Sequence, residues 1–279
     1  MGEAQTVVLA DQGQVAREAA DRLVRALQDA LTRRSEAHLA LTGGSSAEAL
    51  YGELAQKRWR DALDWRRIHL WWGDDRFVPV DHPDSNTGMA YSILLAMGAR
   101  AGESGSSGAS GTDVSAGDSP GLPVPAENIH PFEIDEALSE SDAGELVAQR
   151  YAEALESRLP KSAAGLPVFD VILLGVGGDG HLMSVFPESE ALAPGSPLVL
   201  AVPAPTHIGP HLPRITLNPR LFEAAGLLLV MVGGEEKAEV IAQVLQGQRD
   251  PRRFPAQLAV RDNAVWLLDE GSAAQLSRA

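Results

Sequence analysis

The 279-residue chain contains no cysteine. Disulfide bonds, thiolate zinc sites, cysteine-ligated iron–sulfur clusters and a cysteine nucleophile are therefore excluded, and the fold must be stabilised by packing. Hydrophobic residues make up 44% of the sequence, which is enough apolar surface for an extensive core in one large α/β domain or two small ones.

The sequence also lacks a long apolar run. No uninterrupted stretch approaches the roughly 20 residues needed to cross a bilayer, and the amino-terminal residues lack the basic-then-apolar pattern of a signal peptide. The absence of cysteine is compatible with a reducing compartment. We therefore expect a soluble cytoplasmic protein with no membrane partner.

Basic residues are scarce. The chain has 23 lysines and arginines against 38 acidic residues, a formal net charge of −15, and its only lysines are Lys57, Lys161 and Lys237. Such a surface repels nucleic acid phosphates and anionic membranes, so we expect no nucleic acid partner. A small anionic substrate would need a local basic pocket.

Strand-like apolar runs alternate with segments of helical spacing. The predicted strands span 7–9, 38–41, 68–72, 170–176, 198–202, 226–232 and 264–268, and the predicted helices span 14–33, 47–56, 85 or 86 to 97, 140–159 and 234–245. This alternation predicts an α/β fold with a mainly parallel, doubly wound sheet and helices on both faces. Residues 101–121 contain six glycines and six serines, which predicts a flexible insertion at about 101–126.

Two polar segments follow predicted strands in the first third of the chain. Gly43, Gly44 and Ser45 connect a strand to a helix, where backbone N–H groups and the positive helix end could hold a phosphate; a tight turn with a serine cap explains them equally well. Asp74 and Arg76 follow the next apolar strand. They could form a surface ion pair or be part of a site that faces the cleft.

Arg214 and Lys237 are two cations near predicted element ends in a chain rich in acid. Each could be an ordinary ion pair or, for Lys237, a solvated helix residue beside glutamates. Several charged or glycine-rich segments at successive element ends nevertheless favour a shared anion site.

The segment 175–180 matches G-x-G-x-x-G after a strand, so a dinucleotide-binding oxidoreductase is one interpretation. Three observations argue against a dinucleotide. The motif lies past mid-chain, Pro187 leaves little room for a long helix after it, and the residues roughly 20 positions further on are apolar where an acidic residue would be expected. His181 follows Asp179 and a glycine at this strand end. It is either a structural hydrogen-bonding residue or an imidazole that accepts a proton near neutral pH.

Four motifs, in order, carry a resemblance to a known family: LTGGSS, WWGDDRFVPVDHPDSN, LLGVGGDGHLMSVFP, and PRITLN followed by GGEEKA. Together they resemble the 6-phosphogluconolactonase family, within a group that also contains glucosamine-6-phosphate deaminases/isomerases. The lactonase pattern matches Arg76, where deaminases place a tyrosine, and Phe186, where deaminases place a glutamate that orients the motif histidine. The chain departs from the pattern at Asp75, usually Glu, and at Leu182-Met183, typically Thr-Ala.

The resemblance implies one Rossmann-like domain over residues 1–279, of the deaminase/ribose-5-phosphate isomerase/CoA-transferase type. It implies hydrolysis of 6-phospho-D-glucono-1,5-lactone to 6-phospho-D-gluconate, the second step of the oxidative pentose phosphate pathway, without metal or cofactor. The alternatives are a deaminase-like enzyme and a non-catalytic sugar-phosphate sensor. We expect a phosphorylated sugar lactone as the small-molecule partner, and a monomer or weak homo-oligomer.

The same resemblance implies a role for each candidate residue. His181 would be the general base, Asp179 would orient or polarise it, and Arg76 would stabilise charge on the carbonyl oxygen. Asp74 is a candidate for positioning water. The residues that would hold the 6-phosphate are Gly43, Gly44, Ser45, Arg214 and Lys237.

Overall fold

The computed structural model describes residues 4–96, 121–140 and 142–277. Residues 101–120 of the predicted flexible insertion at about 101–126 therefore lie outside the described residues. Residue 97, the predicted end of a helix, also lies outside them. Within the described ranges, no helix has both the length and the apolar character that a membrane span requires.

In the described residues, ten strands form two sheets. They are β1 Gln5–Leu9, β2 Ala37–Leu41, β3 Ile68–Trp72, β4 Asp74–Arg76, β5 Ile129–His130, β6 Val171–Leu174, β7 Val199–Val202, β8 Arg214–Leu217, β9 Leu227–Val232 and β10 Ala264–Asp269. The larger sheet has the order β1-β10-β9-β6-β2-β3-β5, and every neighbouring pair is parallel. The predicted mainly parallel α/β fold is confirmed.

Every residue of β2 and β6 is buried, so both faces of the central sheet are covered. The α-helices are α1 Gln12–Arg33, α2 Ser45–Leu54, α3 Lys57–Arg60, α4 Asn86–Ile93, α5 Ile134–Ala137, α6 Ala143–Arg158 and α7 Ala238–Gln246. Two N-terminal caps fix where helices begin: Asp11 accepts from the Gln14 amide at 2.8 Å, and Ser85 accepts from the Gly88 amide at 3.0 Å. The predicted helix at 234–245 begins later, because a 3-10 turn at Glu235–Lys237 precedes α7.

The order of the central strands creates a crevice. After β2 the chain continues to β3 on one side of the sheet, whereas after β6 it leads to β9 on the other side. Neighbouring parallel strands whose connections diverge leave a cleft at their carboxyl ends, the common ligand site of open α/β sheets. The loops after β2, β3, β6 and β9 all begin at this edge.

The smaller sheet is antiparallel, with the order β4-β8-β7. The sequence analysis left Asp74, Arg76 and Arg214 either as ordinary ion pairs or as parts of a site, and it predicted no strand at either segment; in the structure the two segments pair with each other as strands. Asp74 lies opposite Thr216, and Arg76 lies opposite Arg214. Since β4 follows β3 after one residue, the pairing brings β8 to the carboxyl edge of the parallel sheet.

Candidate active site

A cavity of about 260 Å³ opens at the carboxyl ends of the central strands. Among the residues that line it are eight of the nine candidates: Gly43, Gly44, Ser45, Asp74, Arg76, His181, Arg214 and Lys237. The ninth, Asp179, is hydrogen-bonded to one of these eight. The fold therefore brings together side chains from loops that are far apart in the sequence.

The loop after β6 holds His181 against Asp179. The imidazole Nδ1 lies 2.5 Å from Asp179 Oδ1, and the backbone amide of His181 donates to the same oxygen at 3.1 Å. Partial burial raises the pKa of Asp179, but the hydrogen bonds and charge of His181, together with the hydrogen bond of His207, outweigh it and hold that pKa below its ordinary value. An ionised Asp179 accepts the Nδ1 proton, which leaves Nε2 of His181 as the nitrogen able to accept another.

Gly177 makes this pairing possible. A Cβ at this position would lie 2.0 Å from His181 Nδ1 and 2.8 Å from Asp179 Oδ1, so any side chain would displace the pair. The loop folds back on itself, with the Gly177 amide donating to the His181 carbonyl at 2.9 Å and the Gly180 amide donating to the Gly177 carbonyl at 3.0 Å. Residues 175–189, all of which are described, contain no helix, so the helix N-terminus that a dinucleotide fingerprint requires directly after its glycines is missing.

The other oxygen of Asp179 meets a residue that the sequence analysis missed. His207 Nε2 lies 2.7 Å from Asp179 Oδ2, so one carboxylate lies between two imidazoles. Phe186 packs on both rings, with centroids 4.7 Å from His181 and 5.8 Å from His207. No local signal marks His207, because it lies in a proline-containing loop with no helical or strand periodicity.

Two guanidinium groups face each other across the β4–β8 pair. Arg76 and Arg214 are direct cross-strand partners, and among the described residues neither lies within 4.0 Å of a carboxylate oxygen as an ion pair. Burial, and then the charge of Arg76, lowers the pKa of Arg214. Two neighbouring cations that form no ion pair with a carboxylate favour a negatively charged ligand.

Backbone carbonyls hold these guanidinium groups in place. Arg214 donates from Nη2 to Pro210 O at 2.9 Å and from Nε to Leu212 O at 3.1 Å, and Arg76 donates from Nη1 to Asp84 O at 2.6 Å. The Nε of Arg76 is buried and has no partner among the described residues. Carbonyls orient the cations without neutralising their charge.

The loop after β2 brings the amino end of α2 to the cavity. Gly44 is the N-cap residue and has a φ of 90°, a conformation that favours glycine. A Cβ on Gly43 would lie 1.9 Å from the Asn86 Oδ1 atom, so only glycine allows this close approach. The Asn86 side chain in turn donates to the Asp74 carbonyl at 2.9 Å, which ties this loop to β4.

The neighbouring carboxylates Asp74 and Asp75 have different surroundings. Asp74 Oδ2 accepts from the Ser184 hydroxyl at 2.6 Å at the wall of the cavity. Asp75 accepts from the backbone amides of Asn86 at 2.7 Å and Thr87 at 2.9 Å, and burial raises its pKa to about 6. Asp75 therefore attaches the start of α4 to β4 and does not itself line the cavity.

Lys237 and Met183 complete the lining. Lys237 is the last residue of the 3-10 turn after β9, and its Nζ lies 4.0 Å from the position that a Cβ on Gly178 would occupy. Its ammonium group is therefore near the loop that carries His181. Met183 lines the cavity, whereas Leu182 is buried beside it, so the departure from the Thr-Ala pattern changes one wall of the site.

Comparison with known proteins identifies the family of this chain. Residues 10–267 match the family model described as glucosamine-6-phosphate isomerases/6-phosphogluconolactonase. A 6-phosphogluconolactonase of Streptomyces coelicolor is 34% identical, over 98% of this chain and 95% of its own, and one of Synechocystis is 32% identical, over 86% and 85%. The structure of 6-phosphogluconolactonase from Trypanosoma brucei is 26% identical with a TM-score of 0.81, covering 99% of this chain and all of its own. The chain belongs to the glucosamine-6-phosphate isomerase/6-phosphogluconolactonase family.

Proposed function

We propose that this protein is an enzyme that hydrolyses 6-phospho-D-glucono-1,5-lactone to 6-phospho-D-gluconate in the oxidative pentose phosphate pathway. One observation carries the proposal. An imidazole oriented by a carboxylate through Nδ1 lines a cavity in which two guanidinium groups form no ion pair with a carboxylate among the described residues. That arrangement supplies a base for water and positive charge for an anionic ester. The relatives named above carry the same activity in their names.

His181 acts as the general base in the proposed mechanism. Its Nε2 takes a proton from water as the water oxygen bonds to the lactone carbonyl carbon. The tetrahedral intermediate then collapses, the bond from that carbon to the ring oxygen breaks, and His181 returns the proton to the ring oxygen. Asp179 keeps the proton on Nδ1 and stabilises the transient imidazolium, as a buried carboxylate does for a catalytic histidine.

Positive charge stabilises the oxygen that becomes negative. Arg76 is the group that we assign to the former carbonyl oxygen, because its buried Nε has no hydrogen-bond partner in the described part of the chain. Asp74, fixed by Ser184, lies in the same wall and positions the attacking water. A lactone is an activated ester, so this base and this cation suffice without a metal.

The 6-phosphate binds between the β2 loop and the remaining cations. Gly43, Gly44 and Ser45 present the amino end of α2, a ten-residue helix whose first N–H groups favour an anion. Arg214 and Lys237 supply two charges from other strand ends. Holding the phosphate fixes the lactone carbon relative to His181 and makes the attack effectively unimolecular.

The decisive experiment is His181→Ala with freshly prepared lactone, following acid release and subtracting spontaneous hydrolysis. We expect a roughly 10²–10⁴-fold loss in kcat with an unchanged unfolding temperature. The variant should still bind 6-phosphogluconate, since the phosphate residues are intact. A near-normal rate would remove His181 as the base.

Two alternatives remain. One is an amino-sugar phosphate deaminase with the same fold, and the other is a non-catalytic sugar-phosphate sensor, which would bind the sugar phosphate without turning it over. Phe186 argues against the deaminase, since an apolar ring packs on His181 where deaminases place a glutamate. Ammonia release from glucosamine 6-phosphate would support the deaminase. Binding of 6-phosphogluconate with no lactone hydrolysis would support the sensor.

The protein's cellular setting belongs to the same proposal. We place it in the cytoplasm as a single 6-phosphogluconolactonase domain and a monomer or weak homo-oligomer. The absence of cysteine supports a reducing compartment. Its net charge of −15 disfavours binding to nucleic acid and anionic membranes.

A further inference from the structure

His207 contacts the catalytic pair from a loop that none of the motifs includes. Its Nε2 lies 2.7 Å from Asp179 Oδ2, while Asp179 Oδ1 meets His181 Nδ1 at 2.5 Å. Both oxygens of one carboxylate are thus engaged by imidazoles. Because the pKa of Asp179 is held below its ordinary value, the carboxylate is ionised and accepts only, so His207 must donate its Nε2 proton.

The loop that carries His207 also forms part of the cavity wall. Ile208 and Gly209 line the cavity directly after His207. The loop is braced internally, since His211 Nδ1 lies 2.6 Å from the Pro205 carbonyl oxygen, and it is attached to β8 through Arg214. The contact with Asp179 therefore links this wall to the catalytic pair.

We propose that His207 is a positioning residue for lactone hydrolysis, an inference that rests on the proposed function. A carboxylate bound through one oxygen can rotate about its Cβ–Cγ bond, whereas donors on both oxygens fix its plane. With Oδ2 held by His207, Oδ1 stays on His181 Nδ1. His181 is then kept in the tautomer whose Nε2 can accept the proton of water.

Substitution of His207 separates this role from general damage to the loop. His207→Ala should lower kcat by about 3–30-fold, the range for a lost hydrogen bond to a charged group discounted for the 47% exposure of the His207 side chain. KM should change by less than about twofold, because His207 is not assigned to the phosphate. His207→Gln, whose amide can donate from a similar position, should restore kcat to within about threefold. Thr206→Ala, at an exposed neighbour, is the matched control and should match the parent.

A double-mutant comparison tests whether the effect passes through Asp179. In an Asp179→Ala background, His207→Ala should cost less than about twofold in kcat, because the bond that it breaks no longer exists. An equal cost in both backgrounds would overturn the inference. So would a His207→Ala variant with the parental kcat, or a His207→Gln variant as slow as His207→Ala.

A measurement without substrate keeps the inference separate from the proposed function. Nitrogen-15 NMR of the His181 ring should show the Nδ1–H tautomer in the parent and in His207→Gln, and a mixture of tautomers in His207→Ala. Unchanged His181 spectra in His207→Ala would overturn the positioning role even if the parent hydrolysed the lactone. A parent that fails to hydrolyse the lactone contradicts the proposed function, and the spectra then decide the structural role by themselves.

Discussion

Gly177→Ala is the sharpest test of the proposed catalytic geometry, because one methyl group would enter the space that His181 occupies. The added Cβ would lie 2.0 Å from His181 Nδ1, and ordinary van der Waals contact begins near 3.4 Å, so the ring must retreat by about 1.4 Å. A misplacement of about 1 Å can cost roughly 10²-fold in rate, or about 2.7 kcal/mol of transition-state stabilisation. The same Cβ would lie 2.8 Å from Asp179 Oδ1, so the carboxylate would have to shift as well as the ring.

Gly178→Ala is the matched control in the same loop. The nearest atom to a Cβ on Gly178 is Lys237 Nζ at 4.0 Å, and neither glycine has a φ in the left-handed region. The backbone should accept alanine equally well at both positions. The two variants therefore differ in whether the new methyl group overlaps His181 and Asp179.

Steady-state kinetics and urea unfolding of both variants provide the assay. Gly177→Ala should lose about 10²-fold in kcat/KM while remaining folded, whereas Gly178→Ala should stay within about threefold of the parent. Parental activity in Gly177→Ala would show that His181 needs no contact with Asp179. An equal loss in both variants would indicate general sensitivity of the loop and refute the reasoning.

Two further predictions concern the cations and the buried histidines. Arg214→Ala or Lys237→Ala should raise KM for the phosphorylated lactone by about 10–100-fold with a smaller effect on kcat, and unchanged KM values would remove these residues from the phosphate site. His38 has a pKa lowered to about 3 by burial and then by the charge of His69, and burial lowers that of His130 to about 4. The folded state thus favours neutral imidazoles. Their contribution to the free energy of unfolding is therefore complete above the unfolded pKa of about 6.5 and is lost as the pH falls toward the folded values. The loss is up to about 1.4 kcal/mol per pH unit for each ring. In urea unfolding between pH 7 and 5, His38→Gln should show a shallower loss of stability than the parent, and parallel pH profiles would contradict this account.

The strands of the parallel sheet could be predicted from the sequence because burial on both faces leaves a continuous apolar run. The predicted strand at 68–72 has the bounds of β3, and the strands at 226–232 and 264–268 differ from β9 and β10 by one residue. The clustering of Gly43, His181 and Lys237 also followed, since their loops come after β2, β6 and β9, which are neighbours in the parallel sheet, whereas Arg214 begins β8 of the antiparallel sheet. The roles of these residues, and the extent of the single domain, stay predictions.

The antiparallel sheet could not be predicted in the same way. β4 is three charged residues and β8 is four residues, which is too short for a periodic signal. Their pairing joins segments about 140 positions apart, so tertiary contacts decide it rather than local propensity. His207 was missed for the same reason, because its contact with Asp179 depends on where a loop without periodicity returns to the cavity.

The way the cations are held is consistent with the proposed binding of an anion by an otherwise acidic chain. Arg76 and Arg214 are oriented by main-chain carbonyls of Asp84, Pro210 and Leu212, whose partial charges satisfy N–H donors and leave the net positive charge in place. A carboxylate partner would orient them equally well but would also compete with the ligand. Because the rest of the chain carries a large excess of acid, we expect polyanions to be repelled from its surface, whereas the phosphate ester of the proposed substrate would be attracted to two guanidinium groups that form no ion pair among the described residues.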